Sequence, residues 1–212
     1  MYNELYELVQ LLVLKGTMEY RLGKNQLLEI LEEWNRFLKR KVHLIACGGT
    51  AMTLLGIKPS TKDVDFMVPN TKEHGYLTKQ LRELGYEAVT GYGWKRPREI
   101  FHFDLFRGNA IHTTGLLMSP LEEGRHTLLK EYSFLYIGIL NDYDLICSKL
   151  MRGTRVDFED CLCLAEARIA NISVDRLVEH YNEMISYDVA QDRLKPNVVH
   201  FVELLQEKGL YE

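Results

Sequence analysis

The stretch from Leu44 to Val68, LIACGGTAMTLLGIKPSTKDVDFMV, constrains this chain more than any other. A short apolar run from Val42 to Cys47 ends in Gly48-Gly49, and Thr50 to Leu55 then restarts a brief helical pattern. Asp63-Val64-Asp65-Phe66-Met67-Val68 follows with period-two alternation and stops at Pro69, as a strand does. Strand, glycine turn, short helix and new strand together specify a mixed α/β layer.

Each part of the stretch has a chemical use. Glycine has no Cβ, so backbone at Gly48 and Gly49 can approach a phosphate closely. A helix starting near Thr50 would aim its free N–H groups at that phosphate, with the Thr50 hydroxyl as a further donor. Asp63 and Asp65, two apart on a strand, are expected on one face while Val64, Phe66 and Val68 pack on the other. Neighbouring carboxylates repel unless a cation or proton lies between them. Mg²⁺ (or Mn²⁺) suits hard oxygen ligands and bridges carboxylates to nucleotide phosphates.

Asp104 extends the set. It is a lone acid in the aromatic run Ile100 to Phe106, although Asp is disfavoured in strands and rarely buried unpaired. A metal or an Arg partner would explain it. Three carboxylates in a two-metal site would orient an attacking hydroxyl and stabilise a leaving pyrophosphate, with Asp104 placed to help deprotonate the hydroxyl.

The flanking sequence is helical. Residues 3–14 and 25–39 carry helical spacing, the second with Leu27, Leu28, Leu31, Trp34 and Leu38 on one face and Asn25 as its cap. Thr71 to Leu84 is a helix closed by Gly85, and Tyr86–Val89, Glu99–Arg107 and Tyr132–Leu140 read as strands. After Asn141, helical segments near 142–151, 157–170, 174–186 and 198–208 are separated at Gly153, at Asn171-Ile172-Ser173 and at Pro196. The expectation is an α/β (α+β) fold in three parts. Residues 1–41 form N-terminal helices packed on the core, 42–140 a mixed-sheet core, and 141–212 a C-terminal helical bundle.

Composition limits the partners. A formal net charge of −4 exerts no global pull on nucleic acid or acidic membranes, so any basic surface must be local. The apolar run Leu8 to Leu14 is too short to span a bilayer, and acidic Glu4 and Glu7 precede it where a signal peptide would be basic. A cytoplasmic location and no membrane partner are expected. Cys47, Cys147, Cys161 and Cys163 sit in apolar stretches without C-x-x-C spacing and read as free core thiols.

The order Gly48-Gly49, helix, Asp63-x-Asp65 and a later Asp104 resembles the DNA polymerase β-like nucleotidyltransferase superfamily, in particular a small prokaryotic branch related to AbiEii-type toxins. The resemblance covers residues 40 to 165. It implies a mixed-sheet α/β core followed by helices, and transfer of a nucleoside monophosphate from an NTP to a hydroxyl. It implies that Asp63, Asp65 and Asp104 hold Mg²⁺ and that Gly48, Gly49 and Thr50 hold the triphosphate. The acceptor could be RNA, protein or a small molecule, and a cognate antitoxin is a candidate partner. Asp144 to Leu150 and Arg155 to Asp160 also resemble a helical motif that follows the core in that branch. This implies Lys149 as a phosphate ligand, assisted by Asp157 and Asp160. Many members carry an Arg just before the Asp-x-Asp strand, where this chain has Thr61 and Lys62. Lys62 is therefore only an accessory candidate, and the acceptor contacts stay open.

Plainer readings compete. Asp144 could be a solvated first-turn residue, Asp157 or Asp160 a helix cap, and Lys149 a solvated helix face. His102 lies either near Asp104 or in the core. Tyr92, Trp94, Lys95, Arg96 and Arg98 form either an RNA-stacking surface or a hairpin loop. The rival function is a catalytically silent nucleotidyltransferase-like module that binds nucleic acid or a partner protein. Retention of all three aspartates favours the enzyme.

Overall fold

The computed structural model describes residues 20–212 apart from Thr90 and Arg98. The helix expected over 3–14 lies outside the described residues.

Helix α1 (Lys24–Phe37) follows strand β1 (Leu22–Gly23) and buries Leu27, Leu31 and Trp34. Its first turn is closed by the Gly23 N–H donating to Gln26 Oε1 at 3.0 Å. Asn25 lies inside that turn and is not the cap. The sheet strands are β2 (Val42–Ala46), β4 (Val64–Val68), β5 (Glu87–Ala88), β6 (Gly93–Lys95), β7 (Phe103–Arg107), β10 (His126–Glu131) and β11 (Leu135–Leu140). They form a seven-stranded mixed sheet in the order β10-β11-β2-β4-β7-β6-β5. The β11–β2 and β4–β7 pairs are parallel, and the rest are antiparallel. Two small hairpin-like pairs complete the strands: β1 with β3 (Ser60–Thr61), and β8 (Ala110–Ile111) with β9 (Thr114–Gly115).

The other helices are α2 (Gly48–Leu54), α3 (Thr71–Glu83), α4 (Asp142–Leu150), α5 (Arg155–Arg168), α6 (Val174–Ser186) and α7 (Gln191–Glu207). Side-chain caps start most of them: Asn70 accepts from the Lys72 N–H, Asn141 from Asp144, Thr154 from Asp157 and Ser173 from Arg176.

Several local expectations are corrected. Pro196 does not separate two segments; α7 runs through it. An interior proline costs about 3 kcal/mol, but Leu194, Val198, Phe201 and Leu205 bury one continuous apolar face across it, at about 1.5–3 kcal/mol each. The strand expected from Glu99 begins only at Phe103. β10 was not foreseen, because its half-exposed edge pattern lacks strict alternation. Cys163 is exposed while Cys47, Cys147 and Cys161 are buried and free. Two positions beyond Cys161 on α5, it lies on the opposite side of the helix.

Trp94 and Arg96 of the basic aromatic stretch are absorbed into packing, while Tyr92 stays exposed. Trp94 is buried in β6 beneath Arg82, while Arg96 lies over the Tyr86 ring and pairs with Glu33 at 2.9 Å. Arg98 is outside the described residues. One apolar cluster runs from Leu22 to Leu205, so the N-terminal segment, sheet and last helices share a core. Among the described residues, no helix is long and apolar enough to cross a membrane.

Candidate active site

Parallel pairing of β4 with β7 sets Asp65 directly opposite Asp104. Phe103 packs on Trp34 of α1, with ring centroids 4.6 Å apart, so strand alternation turns Asp104 to the opposite face. His102 Nε2 lies 3.7 Å from Asp104 Oδ2, which places this histidine beside the carboxylate and not in the core.

Asp63 sits differently from the expectation. β4 begins at Val64, and Asp63 lies exposed in the bend before it. Its backbone carbonyl accepts hydrogen bonds from the hydroxyls of Thr50 (3.1 Å) and Thr61 (2.8 Å). The group that does join Asp65 and Asp104 is His112, from the β8–β9 turn. One ligand atom from each of the three lies within 4.8 Å of the other two.

The glycine pair has a reason the sequence did not show. Gly48 opens α2 with φ of 55°, and a Cβ there would lie 2.6 Å from Oδ2 of Asp65. A Cβ on Gly49 would lie 2.8 Å from the Thr61 hydroxyl. Thr50 is corrected too. Its hydroxyl donates to the Asp63 carbonyl and accepts the Asp65 N–H at 2.9 Å, so it fixes the Asp63–Asp65 backbone and is already engaged. The helix itself starts at Gly48, two residues earlier than expected.

Charge is uncompensated on this wall. Burial, then the Asp104 carboxylate, then Asp63 push the Asp65 pKa up from 3.8 to about 7, against the weaker opposing pull of Arg152 and Lys149.

Helices α4 and α5 supply the facing wall. Lys149 is buried, not solvated, and donates to Asp160 Oδ2 at 2.7 Å. Lys58, from the loop after α2, donates to Asp160 Oδ1 at 2.7 Å. Burial would raise the Asp160 pKa, but hydrogen bonds from Lys149 and Lys58 outweigh it and hold the carboxyl below its ordinary value. Asp157 is not the cap but completes the capping box of Thr154: it accepts from the Thr154 hydroxyl at 2.7 Å and pairs with Arg152 at 2.5 Å. Asp144 is also buried, held by Asn141 and by His180 at 2.7 Å.

A cavity of about 400 Å³ lies between the walls, lined by Gly49, Thr61, Asp63, Asp65, Lys149, Asp157 and Asp160 together with Arg21, Lys58, Lys62 and Arg152. Asp104 and His112, which adjoin Asp65, are not among its lining residues. A groove of about 500 Å³ between α6 and α7 is larger but lined by Val178, Val198, Val199 and Val202 with Asp175, Glu179 and Glu203. It gathers no metal-ligating or phosphate-binding set. Sequence reasoning missed His112, Arg21, Lys58 and Arg152. Lys58 and Arg152 offered only their nearness in sequence to Lys62 and Lys149, and nothing in the sequence tied His112 to the carboxylates.

The carboxylate wall fits a divalent cation. Asp65 and Asp104 face each other with too little counter-charge, and their oxygens lie with a His112 nitrogen in a space one ion could bridge.

The model of the family described as "Nucleotidyltransferase of unknown function (DUF6036)" matches residues 25–207. Among curated proteins no relative matches the chain.

Proposed function

The chain belongs to this family of nucleotidyltransferases, and from that premise we propose that it transfers a nucleoside monophosphate from an NTP to a hydroxyl. The acceptor oxygen would bond to the α-phosphorus as the bond to the bridging oxygen breaks and pyrophosphate leaves. The observation that carries this reading is the pairing of Asp65 with Asp104, with Asp65 lining a cavity that Lys58, Lys149 and Arg152 also line.

A bound Mg²⁺ or Mn²⁺ would neutralise the triphosphate and polarise the α-phosphoryl group. Asp65 and Asp104 would hold it, with Asp63 joining from the bend once phosphate is bound. Asp104 also accepts the proton of the attacking hydroxyl in this scheme. Gly48, Gly49 and Thr50 would contribute backbone N–H groups to the triphosphate. Arg152, Lys62 and Lys149 counter the polyphosphate charge, Lys149 held in place by Asp160.

The narrower reading of a toxin-like enzyme of the AbiEii-related branch, with RNA or protein as acceptor and an antitoxin as partner, rests on the resemblance of residues 144–160 alone. A cytoplasmic site of action accords with that chemistry, since NTPs and Mg²⁺ are abundant there. The rival, a binding module without turnover, leaves unexplained why two mutually repelling carboxylates persist where a single Asn would relieve the strain.

The test supplies each α-labelled NTP with Mg²⁺ or Mn²⁺, total RNA and total protein. Wild-type protein should label one acceptor fraction, and Asp104→Asn should lower the rate by at least about 100-fold. No labelling, together with no rise in melting temperature on adding metal and NTP, would sink the proposal.

A further inference from the structure

We propose that His112 is a third, nitrogen ligand of the metal site and biases it toward Mn²⁺ over Mg²⁺. The inference rests on the reading above only in placing a cation at the Asp65–Asp104 pair.

Three elements distant in sequence converge on one small volume. Asp65 comes from β4, Asp104 from the paired position on β7, and His112 from the turn joining β8 to β9. Ile111 pairs with Thr114, so His112 and Thr113 form a two-residue hairpin loop. His112 has φ of 52°, the only positive φ of a non-glycine residue among those described. Such loops require left-handed backbone, which costs a residue with a side chain about 1 kcal/mol or more. A histidine is therefore held where glycine or asparagine would be easier.

The ring is placed, not loose. It packs edge-on against Phe106 at 4.6 Å and against Tyr92 at 6.2 Å, while the Tyr92 hydroxyl donates to the His112 carbonyl at 3.4 Å. Phe106 lies two residues after Asp104 on the same face of β7, so the strand that presents the carboxylate also presents the surface that seats the imidazole. No hydrogen bond engages the ring nitrogens among the described residues, and the ring is exposed enough to meet an ion.

Chemistry gives the direction of selectivity. Mg²⁺ demands oxygen ligands and dehydrates reluctantly, so two carboxylates serve it and an imidazole adds little. A transition cation of the same charge and similar octahedral habit gains from a nitrogen donor. An Asp-Asp-His set therefore discriminates where an all-carboxylate set would not.

The test uses the full chain without nucleotide. Mn²⁺ binding is followed by electron paramagnetic resonance, nitrogen coupling to the bound ion by electron spin-echo modulation, and Mg²⁺ affinity by competition. Wild-type protein should show imidazole nitrogen coupling and bind Mn²⁺ at least about tenfold more tightly than Mg²⁺. His112→Asn tolerates the left-handed turn and offers oxygen in place of nitrogen. It should lose the coupling and about tenfold or more of Mn²⁺ affinity, while Mg²⁺ affinity changes by less than about twofold. His112→Gly, which the turn also accepts, should behave likewise, and unchanged melting of both metal-free variants shows that the fold survives. Absence of nitrogen coupling in wild type, or His112→Asn binding Mn²⁺ as wild type does, overturns the proposal. Nitrogen coupling without nucleotide transfer would overturn the proposed function alone, whereas transfer without coupling would overturn only the role of His112.

Discussion

On the strand side of the site, Asp65, which lines the cavity, faces Asp104 with Asp63 nearby, and the one basic side chain within 4 Å of these carboxylates among the described residues is His102, at 3.7 Å from Asp104. On the helix wall, Asp160 takes hydrogen bonds from both Lys149 and Lys58, and Asp157 pairs with Arg152. Both walls are made of withdrawn aspartates, yet the proton affinity of Asp65 rises and that of Asp160 falls. Burial pushes both upward. What differs is the sign of the nearest charge: carboxylates crowd Asp65, while two ammonium groups bracket Asp160. The aspartates of the helix wall are paired as folded, whereas the repulsion on the strand wall is relieved by a proton or an added cation.

The largest effect should come from breaking the paired wall. Asp160→Ala leaves the ammonium of Lys149 buried with no carboxylate, a change expected to cost about 3–5 kcal/mol in urea unfolding. A loss below about 1 kcal/mol would mean that the pair does not organise the helix wall and that the contrast between walls is superficial.

The repelling wall should respond in the opposite direction. The folded-state pKa of Asp65, about 7, is above its ordinary 3.8. Between those values the native state binds more protons than the unfolded one, so this residue makes stability fall as pH rises through the window and level off above it. Asp65→Asn removes that dependence. Without metal, the variant should exceed wild type by roughly 2–4 kcal/mol at pH 8 and approach it near pH 4. A constant difference across the range would show that charge crowding is not the cause.

The smallest effect ranks the two lysines. Lys58 is the more exposed partner of Asp160, at 28% against 3% for Lys149. Lys58→Gln should cost about 1 kcal/mol or less, because solvent screens it and Lys149 still holds the carboxylate. Lys149→Gln should cost more, since it removes the partner least accessible to water. Equal costs in thermal or urea melts would show that burial does not grade this network.

By itself the sequence determined what is local. The strand, glycine turn, short helix and second strand from Val42 to Val68 were legible because side-chain period and glycine placement act over a few residues. Asp65 and Asp104 stood out for the same reason, as acids in otherwise apolar strands. The helices after Asn141 announced themselves by spacing, while the start of α5 at Arg155 and its cap Thr154 were not foreseen. What only the tertiary structure decided was which of these residues meet, and at what charge. The register of β4 against β7 faces Asp65 with Asp104, and a hairpin turn that nothing in the sequence tied to the carboxylates brings in His112. The packing of α4 and α5 buries Lys149 on Asp160, where spacing alone left a solvated helix face equally open. Gly48 is small because Asp65 lies against it, and α7 passes through Pro196 because the core rewards its continuous apolar face. Each of these outcomes depends on groups distant in the chain sharing one low-dielectric volume, where the energy of a charge or a methyl group is set by its neighbours in space and not by its neighbours in sequence.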